Sequence, residues 1–474
     1  MTMNKKTRIT IALALFLAAV SAEAQVVSPV DFMRMNPYQM NSNPATDLPY
    51  LSYMSLLVGN TGLDVKNTGL RYDNFFDFDA QGKPATINLK KFANSIYEDN
   101  SLDFSVNANL FSLGKRLNKG MITFGYDERV RGSLGCNDGL VKLLANGNAA
   151  FVGEENRVVA SFGLDLGAYQ ELSVGYQLNV TNRLSVGGRA KLLFGMANVK
   201  TNAFAVSLAT DPESYALRVN EDIWMQLTMP DAVTAEDGKL KTVDNFHVFD
   251  LFRNPGFGVD LAGEYHFTDQ IGLVAAVNDL GFIKWRANNI QLKGNVNDVG
   301  TMYDDGAFLF EGLDINQLQR IVSDKAYREL FMDTLKQYFQ LEFSPSESYI
   351  TTLNTNVLLR GYYDINPQNR VSLQAMGCFR NGGFSPALTL AYSGSFFEML
   401  DVCATYTMMK GSYANFGIGL AANIGTFHLY LTTNNIIGAF NALNSNGFNA
   451  QVGIVFNLRD TELVKGSRKP KYMR

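Results

Sequence analysis

The sequence predicts an all-β fold, a transmembrane antiparallel β-barrel of about 14 strands, an even number as single-chain bacterial barrels require. Three observations predict it. Stretches of about 10 residues alternate apolar and polar side chains, the length a tilted strand needs to cross a bilayer. The connections between them alternate short and long. An export signal opens the 474-residue chain, and no later apolar run of roughly 18 residues can serve as a transmembrane helix.

The N-terminus comes first. Lys5, Lys6 and Arg8 precede an apolar run over 9–20, and Ala22-Glu23-Ala24 supplies the small residues that a signal peptidase reads. Residues 1–24 are therefore read as a signal peptide cleaved before Gln25, with no Cys at the cleavage site to carry a lipid anchor. Residues 25–48 are rich in Pro, Asn, Met and Ser and carry no strand pattern. Irregular backbone at membrane depth is tolerated only inside protein or water. This stretch is thus either a plug in the lumen or a loose periplasmic lead.

The barrel is expected over 49–458. Its first strand falls near 50–59. In the hairpin 172–194, Leu172, Val174, Tyr176 and Leu178 alternate with Ser173, Gly175 and Gln177. After Thr181-Asn182-Arg183, Leu184, Val186, Ala190 and Leu192 alternate with Ser185, Gly187, Arg189 and Lys191. Successive side chains of a strand face opposite sides, so each hairpin has one greasy face. The same pattern recurs from Leu102, from Phe257, from Leu353 and on to Leu458. Tight turns are expected at 118–120, 181–183, 268–270, 365–369, 392–395 and 423–426. Longer loops are expected near 131–167, 200–255 and 286–348, then shorter ones near 380–384, 410–413 and 435–447. A soluble sandwich has no reason to keep long loops on alternate connections. An outer-membrane barrel does, with short turns in the periplasm and long loops outside, which puts both termini in the periplasm of a Gram-negative cell.

Charge placement agrees with lipid on the greasy side, where a mid-bilayer Lys or Arg costs about 2–4 kcal/mol. Arg189, Lys191, Asp260, Glu264, His266, Arg360 and Asp364 share the opposite face and form the candidate lumen set, either selecting solutes or pairing to hold a plug. Asp279 and Glu398 fall on the apolar parity, at strand ends, and Asn278-Asp279 reads as a bulge. Two segments read as helical. Residues 313–343 have the spacing of one or two helices, with Ser323 or Asp324 as a cap and Phe331, Tyr338 and Phe339 on the apolar face. They form either an external capture site or a lid packed on its own barrel. Residues 90–97 are a weaker helix, and the basic tail 459–474 is expected to extend disordered into the periplasm.

Composition excludes several functions. A net charge of −4 without a dense basic patch argues against nucleic acid, and 46% hydrophobic residues is ordinary. Three scattered Cys (136, 378 and 403) make no disulfide framework and read as small buried side chains. The three His are 247, 266 and 428, and no nucleophile-elbow, HExxH, CxxC or phosphate-loop pattern accompanies them. Glu264 and His266 share a face, but two ligands are not a metal site. Neither catalysis nor a cofactor nor a metal is expected.

Asn43-Pro44-Ala45, lying between the signal peptide and the first strand, resembles the Asn-Pro-Ala element of FadL-like fatty-acid transporters and PorV-type barrels. The turn Ile365-Asn366-Pro367-Gln368-Asn369 resembles turns of that group, and the whole mature chain is similar to an uncharacterised, domain-of-unknown-function branch of it. In FadL relatives a Gly often follows the Ala, whereas Thr46 stands here. The resemblance implies a 14-strand barrel plugged by Asn43, Pro44 and Ala45 with their neighbours, and uptake or binding of small hydrophobic molecules. Its PorV-type side implies instead a non-transporting partner for secretion or surface assembly; a third reading is a structural barrel sealed by its plug. The partners implied are outer-membrane lipid, a hydrophobic ligand, or a secreted or surface protein.

Overall fold

The computed structural model describes residues 27–459, except 70, 80–83, 214–216, 230–232, 237–238, 243–251, 295–300, 303–319, 322, 332–340, 381–382, 398, 410–411, 441–444 and 446. The alternating stretches form one closed antiparallel barrel of 14 strands. In chain order these are β1 (Tyr50–Leu56 and Thr61–Asn67), β2 (Asp99–Leu117), β3 (Gly120–Asn137), β4 (Val158–Asn179) and β5 (Leu184–Thr210). Then come β6 (Asn254–His266), β7 (Ile271–Trp285), β8 (Tyr349–Thr352 and Thr355–Asn366), β9 (Asn369–Arg380) and β10 (Gly383–Phe396). The last are β11 (Leu400–Met409), β12 (Ser412–Ile424), β13 (Phe427–Thr433) and β14 (Gly447–Arg459). Neighbours in sequence pair in register, and β1 pairs with both β2 and β14, which closes the ring and leaves no edge.

The faces are inverted relative to a soluble protein. Along β4, Leu172, Val174 and Tyr176 are exposed while Ser173 and Gln177 are buried. Outward residues of the other strands, such as Leu261, Leu359, Leu373, Leu390, Leu420 and Leu431, are also exposed and apolar. Inward residues such as Asn109, Glu171, Lys191, Asp260 and Thr389 are buried and polar. Such a belt is stable only where hydrocarbon replaces water. The greasy side of the hairpin 172–194 faces lipid.

Several boundaries differ from the sequence reading. Strands β2 to β5 run 18 to 27 residues, about two to nearly three times the expected length, because the backbone pairing continues beyond the apolar belt. The expected loop 131–167 therefore shrinks to 138–157, and much of 200–255 is strand. Past the ring, β5 pairs with Leu217–Thr228, which pairs in turn with Asn289–Lys293 and then Glu342–Pro345. The helix Asp138–Asn146 packs on this extension through Leu143, joining Val158, Val206, Leu208 and Ile223 in a small apolar cluster. The first strand breaks at 57–60 and resumes. The expected turn 392–395 is strand, and the chain reverses after Phe396. The weak helix is Leu89–Ala93. Of 313–343, residues 320–321, 323 and 325–331 are helical and 342–343 are strand, and Asp324 Oδ1 caps the 325–331 stretch by accepting from the Ala326 and Tyr327 amides at 3.0 and 3.2 Å. Phe331 is half-buried there. Tyr338, Phe339, Glu398, His247, the signal region 1–24 and the tail 460–474 lie outside the described residues.

Residues 27–48 pack against inward-facing side chains of the barrel wall. Two short 3-10 turns, Pro29–Phe32 and Pro37–Asn41, shape them, each with proline at its start and a capping side chain, Ser28 or Asn36. Val27, Val30, Phe32, Met33, Tyr38, Met40 and Leu48 are buried in the main apolar cluster with inward Tyr53, Met121, Ala391, Cys403, Ala421, Tyr430 and Val455. The segment therefore has an apolar side against β10–β14, while its polar groups reach β1, β2 and β14 as well as β5–β9.

Candidate functional site: the barrel lumen

The side chains on the polar wall act in three groups. The first holds the N-terminal segment by its backbone. Arg189 donates to the Met40 carbonyl at 2.7 Å and to Asn41 Oδ1 at 2.9 Å. Arg360 donates to the Asp31 carbonyl at 2.7 Å and to Gln374 Oε1 at 2.7 Å, and its guanidinium lies 4.5 Å from the centre of the Phe32 ring. Asn278 donates to the Ser42 carbonyl at 2.9 Å. Hydrogen bonds from charged donors contribute more than neutral ones, about 1.5–3 kcal/mol each.

The second group meets the segment at the short-turn end. Asn43 Nδ2 donates to Glu264 at 2.8 Å, and Asn43 Oδ1 accepts from the Ala45 amide at 3.1 Å, so one side chain fixes both the local turn and the wall contact. Glu264 also accepts from the Tyr362 hydroxyl at 2.7 Å, and that hydroxyl lies 2.9 Å from His266 Nδ1. Arg370 clasps Asp364 through two nitrogens at 2.7 and 2.9 Å, and Arg34 of the segment reaches Asp364 at 3.5 Å. Pro44 seats directly against β5. A Cβ on Gly187 would overlap the Pro44 carbonyl, so the approach requires glycine there.

The third group is a buried charge cluster. Lys191 Nζ lies 2.6 Å from Asp279, 2.8 Å from Asp260 and 3.6 Å from Glu171. Arg129 pairs with Glu171 at 2.9 Å, and Arg189 approaches Asp260 at 3.7 Å. Asp279 belongs here because of a bulge. Val259 faces Leu280 but Leu261 faces Val277, so Asn278 and Asp279 together oppose Asp260. Asp279 takes a positive φ of 56°, and its amide donates to Asp260 Oδ1 at 2.7 Å. The bulge turns into the lumen a carboxylate whose sequence parity points at lipid.

All seven lumen residues read from the sequence face inward, but they divide among the three groups. Arg129, Glu171, Asp279 and Tyr362 were missing from that set. Glu171 shares the parity of Ser173, and Arg129 that of Thr123, so both were legible once the strands are extended. Among the described residues no group of three or more His, Cys, Asp or Glu could hold a metal. Lys191 occupies the centre of the carboxylates instead.

Two cavities of about 200 Å3 each remain in the lumen, and Arg131, Tyr169 and Asn354 line both. Outside, across the wall from Pro44, Gly187, Gly188 and Gly263 floor an apolar recess of about 600 Å3 rimmed by Tyr176, Leu178, Leu261 and Val277. The wall between is intact, since Gly187 pairs with Gln177 and Ala262, and Gly188 with Tyr176 and Leu261.

An inside-out, edge-free, 14-stranded barrel with a paired-charge lumen defines the outer-membrane β-barrel class. Within it, the chain belongs to a family of unknown function, DUF5723, whose model matches residues 44–434. No curated protein matches the chain. Among solved structures it is similar to the Pseudomonas putida toluene transporter TodX, at 9% identity over 92% of this chain and 97% of that one, with a TM-score of 0.39. The monoaromatic hydrocarbon channel CymD is 10% identical over 93% and 99%, with a TM-score of 0.34. A Pseudomonas aeruginosa FadL homologue is 8% identical over 91% and 96%, with a TM-score of 0.34. Likeness at this level carries no functional argument.

Proposed function

We propose that the protein takes up small hydrophobic molecules across the outer membrane and rests in a closed state, plugged by its own residues 25–48. The observation that carries this is the juxtaposition at β5: Asn43-Pro44-Ala45 on the lumen side of Gly187, and the apolar recess on its lipid side. Straight passage past Lys191, Asp260 and Asp279 would require an apolar cargo to strip water and partners from buried charges, which is costly. Leaving through the wall at the recess avoids that. In this arrangement the short turns and both termini are periplasmic, and the helical residues 325–331, with Phe331 half-buried, belong to the outer capture site or lid. Cells producing the protein should accumulate a labelled long-chain fatty acid or toluene faster than cells without it, and Gly188→Trp, which fills the recess, should abolish the difference. Equal uptake with and without the protein would sink the proposal.

A second reading is a non-transporting barrel that serves a secretion or surface-assembly partner. The lumen favours it, because its charges pair with one another and with the N-terminal segment. Crosslinking in native membranes that recovers one stoichiometric protein partner, with no uptake phenotype, would select it.

A further inference from the structure

We propose that Arg380 is a strut across the long-connection mouth of the lumen, and that this strut limits the size of solute able to enter the barrel. Arg380 is the last residue of β9. Its Nη2 donates to Asp103 Oδ1 of β2 at 3.2 Å and to Ser133 Oγ of β3 at 3.1 Å.

The topology gives these bonds their meaning. In a ring of 14 strands, β9 lies seven places from β2 in either direction, so the bonds join opposite walls. About eight strands enclose a space that side chains fill, and a larger ring encloses a wider one. One side chain crosses only where the walls approach, so the ring is flattened where the strut stands. The carboxylate that receives it is held by its own wall. Ser133 Oγ donates to Asp103 Oδ1 at 2.8 Å, and Ser101 Oγ donates to Asp103 Oδ2 at 3.0 Å. Asp103 and Ser133 are register partners on β2 and β3, and both are buried. Arg380 itself is half-buried. Hydrogen bonds between ionised groups are the stronger ones, and this one ties two walls rather than two neighbours. Lys66 of β1 is the register partner of Asp103 on its other side. It adds a charge at the mouth, but from an adjacent strand it does not cross the lumen.

The first of the two lumen cavities lies behind the strut. Ser105 of β2, Arg131 of β3 and Met376 of β9 line it, each nearer the short turns than the strut residue of its own strand. Ser28 and Asp31 of the N-terminal segment line it as well. A solute arriving from the long-connection side therefore meets the strut before the chamber. Water and small ions pass beside a single side chain, whereas a rigid solute of several fused rings requires the strut to swing away. This filter concerns entry to the lumen and not departure through the wall, so it stands or falls apart from the uptake proposal.

Cys378 supplies a reporter. It is a free, half-buried thiol two residues before Arg380, on the same inward parity of β9. The test uses the full-length protein in detergent with Cys136→Ala and Cys403→Ala, which leaves Cys378 as the remaining thiol of three. N-ethylmaleimide reports the reactivity of that thiol, and fluorescein maleimide reports the passage of a bulky probe. Arg380→Ala should speed fluorescein labelling about tenfold, the population shift expected for losing one tie of this kind, with N-ethylmaleimide labelling nearly unchanged. Arg380→Gln, too short to cross, is the second variant should the first lose its heat-modifiable gel migration. Lys66→Ala removes a charge and keeps the strut, so both rates should stay as in the parent. Fluorescein labelling as slow in the Arg380 variants as in the parent would overturn the proposal. So would a parent labelled equally fast by both probes, or an equal acceleration of both probes by Arg380→Ala, the mark of local loosening. An equal acceleration by Lys66→Ala would also overturn it, since the effect would then be one of charge and not of obstruction.

Discussion

Lys191 shows what a single side chain does in this lumen. Three carboxylates lie within 3.6 Å of its ammonium, and the residue is 2% exposed. Removing one partner of a buried ion pair strands the other, at about 3–5 kcal/mol. Lys191→Met should therefore lower unfolding stability by that amount in urea titrations of the vesicle-reconstituted barrel. Lys191→Met with Asp279→Asn should recover part of it, and equal losses in the single and double variants would contradict the coupling. Gly187 makes the opposite case, that of a residue defined by what it lacks. Gly187→Val should unseat Pro44 and raise single-channel conductance, whereas a Cβ at Gly263 meets nothing within 4 Å, so Gly263→Ala should leave conductance unchanged and stability within about 0.5 kcal/mol. Matching conductance in the two variants would argue against the seat. Legibility at this scale followed parity. Arg189, Lys191 and Asp260 could be placed by counting alternate residues. Asp279 could be placed only through its bulge, which the doublet Asn278-Asp279 hinted at without fixing which way the carboxylate turns.

At the scale of elements, the N-terminal segment was the least determined by local pattern. Nothing in 25–48 alternates, so the sequence left lumen and periplasm both open. What ties 27–48 to the barrel wall is long-range: Arg189 on β5, Arg360 on β8 and Glu264 on β6 each reach it from more than a hundred residues away. If those contacts hold a plug, Arg189→Ala with Arg360→Ala should release it. A protease added on the side of the N-terminus should then cut near Arg34 many-fold faster, while the barrel keeps its heat-modifiable migration. Unchanged cleavage would show that the apolar contacts of Val30, Phe32 and Met33 suffice alone. The strand ends failed for a different reason. Gly394-Ser395 looks like a turn, yet Ser395 donates to Asp401 at 2.6 Å within the hairpin. The reversal that follows carries Phe397 at a positive φ of 56°, a conformation that a bulky residue does not advertise.

For the whole molecule, everything depends on which face meets hydrocarbon. Strand number and closure were legible because they rest on repetition: a period of two within strands and a short–long alternation between them. The length of β2 to β5 was not, because beyond the belt the outer face meets water and the apolar signal fades. Exposure and burial are inverted around the ring, and that inversion makes a prediction a soluble fold would not share. Leu359 lies midway along the continuous part of β8, exposed outward between Ala275 and Ala375, with no charge beside it on that face. On a water-facing surface Leu359→Arg would be nearly neutral, within about 0.5 kcal/mol. At the bilayer midplane it should cost about 2–4 kcal/mol, the penalty falling toward zero as the arginine is moved to the ends of the strand. Folding titrations into vesicles with arginine at 357, 359, 361 and 363 should therefore trace a depth profile, highest near the strand centre. The inward neighbour Leu358 packs with Val274, Ala276 and Tyr362 and offers a control, since arginine there meets lumen groups and should show no such dependence on membrane thickness. A flat profile along the outward positions would mean that this face is not in lipid, and the barrel would have to be reinterpreted as a water-soluble sheet.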